Sequence, residues 1–275
     1  MSGAPAGAVV TGAGRGLGRL IAALLVERGH RVLVTDLDEA AARDTATRLG
    51  PDVLWAGVDV RDEVQVAEAR DRIVAEVGRL DVWVNNAGVL MTGPAWTQPS
   101  DVHRLMLDVN ALGTINGTVA AIEAMRDTGG HIVTIVSLAG LTAVPGEAVY
   151  AASKHAAIGF SLSTLADLRL AGIKGITISC VCPDGIWTPM LHDKLADPAS
   201  ALSFSGTLLQ PEEVAAAVRK VLDRPRPVTA LPVRRGLQVR LADAFPALGL
   251  RALPLLVARG RRVQRRMLAR VRRRE

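Results

Sequence analysis

Short apolar runs alternate with longer amphipathic stretches along most of the chain. β-branched residues predict strands at the short runs, which are Ala8–Thr11, Arg31–Thr35, Val53–Val58, Leu80–Val84, His131–Ser137, Gly175–Val181 and Val228–Val233. Helical spacing predicts helices at Leu17–Arg28, Glu39–Leu49, Glu63–Val77, Pro99–Met125 and Ala148–Ala171, and Pro211 opens another. Such alternation is typical of right-handed βαβ units. The pattern therefore predicts an α/β fold with a doubly wound parallel sheet of about seven strands.

A glycine-rich loop follows the first predicted strand and opens the first predicted helix. It reads Thr11-Gly12-Ala13-Gly14-Arg15-Gly16-Leu17-Gly18. Glycines in this setting let backbone N–H groups approach a pyrophosphate at the helix N-terminus, as in a Rossmann-like sheet. Asp36 ends the second strand, where a carboxylate accepts hydrogen bonds from ribose hydroxyls and repels a 2′-phosphate. These residues favour NAD, although Arg15 could bind that phosphate and leaves NADP as the alternative.

Further motifs follow in an order that resembles the short-chain dehydrogenase/reductase family over about residues 8–233. They are Thr11-Gly12 with Gly16 and Gly18, Asp59-Val60, Asn85-Asn86-Ala87-Gly88, Asn110, Ser137 with Tyr150 and Lys154, and Pro183 with Thr188-Pro189-Met190. One departure is that the family usually has Pro-Gly where this chain reads Pro183-Asp184-Gly185. The sequence therefore does not determine the backbone conformation of that loop.

Tyr150 and Lys154 are the candidate acid–base pair. They lie one helical turn apart, so both side chains project from one face of the predicted helix. A nearby ammonium is expected to lower the pKa of the phenol from its ordinary value of about 10. Ser137, at a strand end, can hydrogen-bond the same substrate oxygen. The resemblance implies that Lys154 also binds the nicotinamide ribose and that Asn110 holds a water in a proton relay, which completes the predicted catalytic set.

The resemblance implies a nicotinamide cofactor and hydride transfer to or from a substrate carbon, with homodimers or homotetramers formed through the long helices. The predicted cofactor-binding residues are Gly12, Gly14, Arg15, Gly16, Leu17, Gly18, Asp36, Leu37, Asp59, Val60, Asn86, Ala87, Gly88, Tyr150, Lys154, Pro183, Gly185, Ile186 and Thr188. A rival interpretation is a catalytically idle nucleotide-binding protein whose basic tail binds a membrane or nucleic acid.

The loops expected on the substrate side are apolar. They include Val89-Leu90-Met91, Leu138 to Leu141, Val144-Pro145 and Trp187 to Leu191, and Trp187 is expected near the nicotinamide. Ligand specificity in such sheets comes from loops at the carboxyl ends of the strands. The sequence therefore predicts a hydrophobic secondary alcohol or ketone, such as a steroid, terpenoid or lipid-like compound.

The composition excludes several classes of protein. The chain has 275 residues and 49% hydrophobic residues, which allows a sizeable core and excludes global disorder. No uninterrupted apolar run reaches the roughly 18 residues of a bilayer span, and the first residues do not resemble a secretory signal. Cys180 and Cys182 alone cannot form a disulfide framework or a four-ligand zinc site, so no metal is expected. We expect a cytoplasmic protein, with contact at the inner face of a membrane left open.

Charge separates the C-terminal segment from the rest of the chain. Fifteen arginines and two acids give the segment from Arg224 to Glu275 a formal charge of +13, and the preceding residues carry −7. Val263, Met267 and Val271 recur every four residues among arginines, which predicts a basic amphipathic helix. We therefore expect an NAD(P)-binding catalytic domain over residues 1–235 and a basic, partly amphipathic extension over residues 236–275.

Three roles are open for this extension: packing on the acidic body or a neighbouring subunit, peripheral membrane binding, and nucleic-acid binding. Nucleic acid is the least favoured partner because Phe245 is the only aromatic residue after Arg224.

Overall fold

A seven-stranded, entirely parallel sheet forms the centre of the fold in the computed structural model, which describes residues 6–271. The strands are β1 (Ala6–Val10), β2 (His30–Asp36), β3 (Leu54–Gly57), β4 (Val82–Asn85), β5 (Gly130–Ile135), β6 (Ile176–Pro183) and β7 (Val228–Leu231). Their order is β3-β2-β1-β4-β5-β6-β7. The chain reverses its direction of winding between β3 and β4, so the predicted doubly wound sheet is confirmed.

Ten α-helices connect and follow the strands in the described residues. They are α1 (Gly16–Glu27), α2 (Glu39–Leu49), α3 (Glu63–Val77), α4 (Ser100–Leu107), α5 (Gly113–Met125), α6 (Ala148–Leu170), α7 (Pro189–His192), α8 (Pro211–Asp223), α9 (Val233–Ala244) and α10 (Pro246–Val271). Side-chain caps fix several starts: Asp38 accepts from the Ala41 amide at the start of α2, and Asp62 accepts from the Val64 amide at the start of α3.

The stretch predicted as one helix over Pro99–Met125 is divided in the structure. A π-helical turn at Asp108–Leu112 joins α4 to α5. Such turns often occur at functional sites because they re-aim side chains within a helix. Here the turn buries the side chain of Asn110 completely.

Helices cover both faces of the sheet. One apolar cluster packs α1, α2 and α8 against one face, through residues such as Ile21, Ala42 and Val218. A second cluster packs α3, α5 and α6 against the other face, through residues such as Ile73 and Ala121. Burial on both sides explains why the strands are almost continuously apolar rather than alternating.

The C-terminal helices fold back onto the carboxyl edge of the sheet. Val263 and Met267 of α10 pack against Leu191 and Phe204, which belong to a segment over residues 189–204 that we call the lid. The Gln264 amide donates to the Asp197 carbonyl at 2.8 Å and to the Ser200 hydroxyl at 2.9 Å. The apolar face expected for the extension therefore lies against the lid. The proposed division at residues 235 and 236 falls inside α9 and stays a prediction.

By length and composition, one stretch of the described chain could cross a bilayer. This is Ser100–Met125, of which half of the apolar window is buried inside the fold, as in the core helices of globular domains.

Candidate active site

A cavity of about 1260 Å³ lies at the carboxyl edge of the sheet. It extends from the glycine-rich loop after β1 to α9 and α10. Every predicted cofactor-binding residue lines it except Gly14, and so do three of the four predicted catalytic residues, Ser137, Tyr150 and Lys154. Gly14 and Asn110 lie behind the wall. The structure thus brings almost all of the predicted residues together in one cavity, while their individual roles remain predictions.

Close backbone packing shapes the glycine-rich loop. Gly12 adopts φ +61°, and a Cβ there would lie 2.7 Å from the Ala87 Cα. A Cβ on Gly18 would lie 2.3 Å from the Gly12 carbonyl oxygen. The Asn86 amide donates to the carbonyls of Thr11 and Gly12, at 2.9 and 2.8 Å. The turn after β4 therefore packs directly against the loop at Gly12 and Gly18. At Gly16, by contrast, a Cβ would lie 3.9 Å from the Thr188 side chain, so the loop faces open space there at the start of α1.

The Asp36 carboxylate is fixed at the nucleotide end of the cavity. One oxygen accepts from the Gly14 amide at 2.9 Å and the other from the Asp38 amide at 3.1 Å. Gly14 therefore acts through Asp36 rather than by facing the cavity. Arg15 lines the same end and is exposed at its rim.

Asp59 forms an ion pair that the sequence did not reveal. The Arg61 guanidinium donates to both Asp59 oxygens, with Nε at 2.9 and 3.0 Å. This pairing holds the pKa of Asp59 below its ordinary value. Both residues line the cavity, and Val60 between them packs against Gly113 of α5. The positive charge of Arg61 is therefore largely balanced by Asp59, unlike that of Arg15 within the described residues.

Ser137, Tyr150 and Lys154 lie at the middle of the cavity. Ser137 follows β5, where its hydroxyl accepts from the Ala139 amide at 3.1 Å, and Tyr150 lies in the first turn of α6. The Lys154 ammonium lies 5.8 Å from the centroid of the Tyr150 ring and donates to the Ile135 carbonyl at 3.1 Å. A strand end and the following helix therefore bring a hydroxyl, a phenol and an ammonium to one place.

The electrostatics of Tyr150 differ from the expectation. Burial raises the pKa of Tyr150, the charge of Glu147 raises it further, and only the hydrogen bond with Ser137 opposes them. Lys154 is not among the groups that shift this pKa, and its ammonium donates to the Ile135 carbonyl; the expected lowering by Lys154 stays a prediction. Burial also lowers the pKa of Lys154 to about 8. At neutral pH Tyr150 is a phenol, which can donate a proton to a carbonyl oxygen.

Asn110 connects the turn after β4 to α6. Its amide nitrogen donates to the Val89 carbonyl and to the Ser153 hydroxyl, both at 2.9 Å, and its oxygen accepts from the Val89 amide at 2.8 Å. These three bonds position the backbone beside Gly88 at the cavity wall. The proton relay implied for Asn110 stays a prediction.

Asp184, the departure from the family pattern, holds the loop after β6. Its carboxylate accepts from the amides of Gly185 and Thr207 at 3.0 and 3.1 Å and forms an ion pair with Arg235 of α9 at 3.4 Å. The loop residues Pro183, Gly185, Ile186 and Thr188 line the cavity. Trp187 is not among the lining residues. Its ring lies against His192, with centroids 3.8 Å apart, and its expected place near the nicotinamide stays a prediction.

A family model described as short chain dehydrogenase matches residues 6–199, more than half of the chain. The chain belongs to the short-chain dehydrogenase/reductase family. Members of this family are nicotinamide-dependent oxidoreductases that act on CH–OH groups.

Curated relatives agree with this family. The chain is 39% identical over 192 residues to the sex determination protein tasselseed-2 of Zea mays, covering 67% of this chain and 56% of that protein. It is 33% identical over 210 residues to estradiol 17-beta-dehydrogenase 11 of Rattus norvegicus, covering 75% and 68%. It is 36% identical over 189 residues to momilactone A synthase of Oryza sativa subsp. japonica, covering 66% and 67%.

A solved relative has the same fold. It is a short chain dehydrogenase/reductase from Burkholderia phymatum in complex with NAD, 26% identical, with a TM-score of 0.81. The match covers 89% of this chain and 95% of that one.

The cavity of this short-chain dehydrogenase fits a nicotinamide dinucleotide. Gly16 leaves open the space that a Cβ would fill at the start of α1, since its nearest neighbour there would be 3.9 Å away, and Asp36 lines the same end of the cavity. The buried Lys154 lines the middle of the same cavity. These residues would hold the pyrophosphate, the adenosine ribose and the nicotinamide ribose respectively.

Sequence reasoning missed two parts of this short-chain dehydrogenase site. Glu147 is buried at the start of α6, accepts a hydrogen bond from the Ser203 hydroxyl of the lid, and has its pKa raised to about 7 by burial. The second part is α10, whose Leu250, Leu253 and Leu256 line the far end of the cavity. Signals existed for both: Glu147 lies three residues before Tyr150, and the three leucines recur every three residues.

Proposed function

We propose that the chain is an NAD-preferring oxidoreductase that interconverts a hydrophobic secondary alcohol and its ketone. One observation carries this proposal: a continuous cavity has the Asp36 carboxylate at one end, an apolar wall at the other, and Ser137 with Tyr150 between them.

The preference for NAD rests on the fixed carboxylate. Asp36 is held by two backbone amides, so it cannot swing away from a 2′-phosphate without losing both hydrogen bonds. Of the two cations nearby, Arg61 is paired with Asp59, which leaves Arg15 at the exposed rim. Because Arg15 is exposed and Asp36 is partly buried, solvent and salt screen the attraction of Arg15 for a 2′-phosphate more than the repulsion from Asp36. The solved relative in complex with NAD adds support.

The hydrophobic substrate rests on the wall opposite Asp36. Apolar side chains from the loops, the lid and α10 line it: Leu90, Met91, Val144, Pro145, Leu191, Leu202, Leu250, Leu253 and Leu256. Burial of apolar substrate surface there contributes about 25 cal/mol per Å². Among the relatives, one is named for estradiol, a steroid alcohol. Polar residues such as Lys194, Gln238 and Arg259 also line the cavity, so the preference over sugars and hydroxy acids rests on the larger apolar share of the lining.

The residues of this chain supply the proton chemistry. Tyr150, a phenol at neutral pH, would donate its proton to the ketone oxygen, and the Ser137 hydroxyl would hydrogen-bond the same oxygen as charge develops. Bound nicotinamide supplies the hydride chemistry at the neighbouring carbon. In the oxidative direction Tyr150 would take the alcohol proton as a phenolate, a form that the raised pKa disfavours at neutral pH, and the Ser137 hydroxyl would orient the oxygen.

The experiment is a comparison of initial rates with NAD and NADP across apolar alcohols, sugars and hydroxy acids. We expect kcat/KM to favour NAD and apolar alcohols. Asp36→Ala should reduce the preference for NAD by roughly tenfold, the effect of about 1.4 kcal/mol. Arg15→Ala, at the same rim, is the matched control and should leave it unchanged.

Two results would contradict the proposal. A wild-type preference for NADP that Arg15→Ala abolishes would make Arg15 the selector of the cofactor. A clear preference for sugars or hydroxy acids would overturn the assignment of a hydrophobic substrate.

A further inference from the structure

Exposed apolar side chains are concentrated on the C-terminal helices. Of the fifteen large apolar side chains that the described chain exposes, seven lie within residues 233–255, and each is more than half exposed. They are Val233, Leu237, Leu241, Phe245, Leu248, Leu250 and Leu255. Single exposed leucines are common on proteins, whereas seven within 23 residues single out this segment as a candidate interaction surface.

On α9 the exposed apolar residues form one stripe. Val233, Leu237 and Leu241 recur every four residues, which places them within an arc of about 80° on an ideal helix. Arg240 and Arg234 border this arc, one on each side, and both are exposed. The opposite face, with Gly236 and Val239, is buried against the body.

On α10 the stripe changes from leucine to arginine along the helix. Leu248, Ala252, Leu255, Arg259, Arg262 and Arg266 follow one another at spacings of four and three, and all are exposed. This stripe faces away from Gly260 and Gln264, which are buried against the lid. We call the exposed stripes of α9 and α10 together the C-terminal surface.

The C-terminal surface adjoins the far end of the cavity. Leu250, Leu253 and Leu256 of α10 line the cavity, and Leu250 is also exposed. One helix therefore has apolar side chains on both the cavity wall and the outer surface. A hydrophobic compound held by a partner on that surface would be close to the cavity.

We propose that the C-terminal surface docks on an anionic phospholipid bilayer. Its leucines would enter the interface between headgroups and acyl chains, and its arginines would lie at the phosphates. The charge agrees, because the segment from Arg224 to Glu275 carries +13 while the rest of the chain carries −7. This inference rests on the outer surface of α9 and α10 and is independent of the catalytic residues.

Two other occupants fit this surface less well. A second copy in a two-fold dimer would bring two patches of the same positive charge into one interface, since each copy contributes the same residues. Nucleic acid would neutralise the arginines but leave the leucines exposed, and Phe245 is the only aromatic side chain there that could stack on a base.

The test is sedimentation of the full-length chain with vesicles of neutral phosphatidylcholine or of phosphatidylcholine mixed with anionic phosphatidylglycerol. We expect binding to the mixed vesicles at least several-fold above the neutral ones, weakened by salt. Leu248→Asp with Leu255→Asp should reduce that binding by roughly tenfold or more. The control is Leu170→Asp, at the exposed end of α6, which should bind as the wild type does.

A second pair of variants tests the charge. Arg262→Glu with Arg266→Glu should weaken binding to the mixed vesicles by roughly tenfold or more, at about 1 kcal/mol for each charge lost near the surface. Arg126→Glu with Arg169→Glu, two exposed arginines outside the C-terminal surface, should not weaken it.

Three results would overturn the proposal. The first is that the wild type fails to bind mixed vesicles, and the second is that the leucine variants bind them unchanged. The third is a wild-type oligomer that the leucine variants convert to a smaller species in light scattering while vesicle binding stays the same. That result would assign the surface to a second copy of the chain.

Discussion

The two ends of the cavity are built in different ways. At the nucleotide end the backbone forms the site: Gly12 and Gly18 pack against neighbouring main chain, and amides hold the Asp36 carboxylate. At the substrate end side chains form the site, through apolar contacts between α10 and the lid such as Val263 with Phe204.

The contrast explains which end tolerates change. A backbone-built site fails when one atom is added, because main chain cannot retreat without moving a strand or helix. A wall of leucines can be altered one side chain at a time, and most volume-conserving exchanges cost less than about 1.5 kcal/mol. We therefore expect the nucleotide end to tolerate few substitutions. Substitutions at the other end are expected to change which compound binds.

The largest effect on activity is expected from Tyr150→Phe. This substitution separates the proton-transfer step from the binding of NADH. Loss of the phenol hydroxyl removes the proton donor and should lower kcat by roughly a hundred- to ten-thousand-fold. The ring remains, so the affinity for NADH should change little. Steady-state rates and NADH titration by tryptophan fluorescence would measure the two quantities.

A Tyr150→Phe enzyme with activity within a few-fold of the wild type would refute the assigned acid. A wild-type protein that binds NADH tightly but shows no turnover would support the rival interpretation of a catalytically idle nucleotide-binding protein.

The second-largest effect is expected from glycine-to-alanine substitutions, which add one methyl group at either end of the cavity. An alanine Cβ at Gly18 would meet the Gly12 carbonyl oxygen, and one at Gly260 would meet the Ala201 carbonyl oxygen of the lid. Gly18→Ala should raise the Kd for NADH by roughly ten- to a hundred-fold, since displacements near 1 Å have effects of this size. Gly260→Ala should raise the KM for an apolar alcohol and leave the Kd for NADH within about twofold.

Gly159→Ala on α6 is the matched control, because a Cβ there has no atom within 4 Å. It should leave both constants unchanged and gain up to about 1 kcal/mol of helix stability. If Gly260→Ala weakened NADH binding as strongly as Gly18→Ala, the two ends would not be separable.

The smallest effect on turnover is expected from Glu147→Gln, which tests the contact between α6 and the lid. Burial raises the pKa of Glu147 to about 7 from an ordinary 4.5. Between these values the folded state binds more protons than the unfolded state, so the free energy of unfolding decreases as the pH rises through this window. The loss amounts to roughly 3 kcal/mol at most. Urea unfolding at about pH 5 and pH 8 would measure it.

Glutamine stays neutral, so the variant should lose this contribution to the pH dependence. Glu68→Gln, on the exposed face of α3, should keep the wild-type dependence. Identical slopes for Glu147→Gln and the wild type would show that Glu147 does not titrate in this window.

The sequence predicts the sheet, most of the helices and the meeting of the motifs because these depend on local patterns. Periodicity identifies β1 to β7, and the carboxyl ends of parallel strands must share one edge, which brings Asp36, Ser137 and Pro183 together. The π-helical turn at Asp108–Leu112 was missed, since it inserts one residue into an otherwise regular apolar spacing.

Other features depend on contacts between distant parts of the chain. The pKa of Tyr150 is set by its burial and by Glu147, and neither quantity follows from the spacing of Tyr150 and Lys154. Likewise, nothing local shows that Gly260 lies against Ala201, or that Asp184 meets Arg235. Such pairings emerge only when the whole chain is folded.

The late position of α10 in the chain has an evolutionary consequence. The family match ends at residue 199, whereas Leu250, Leu253 and Leu256, which close the cavity, are encoded beyond it. A duplicated gene can therefore diverge or recombine in its last portion while residues 6–199, which include Asp36 and Tyr150, are inherited intact. Substitutions in this last portion can therefore change the far wall of the cavity while the N-terminal residues of the site stay the same.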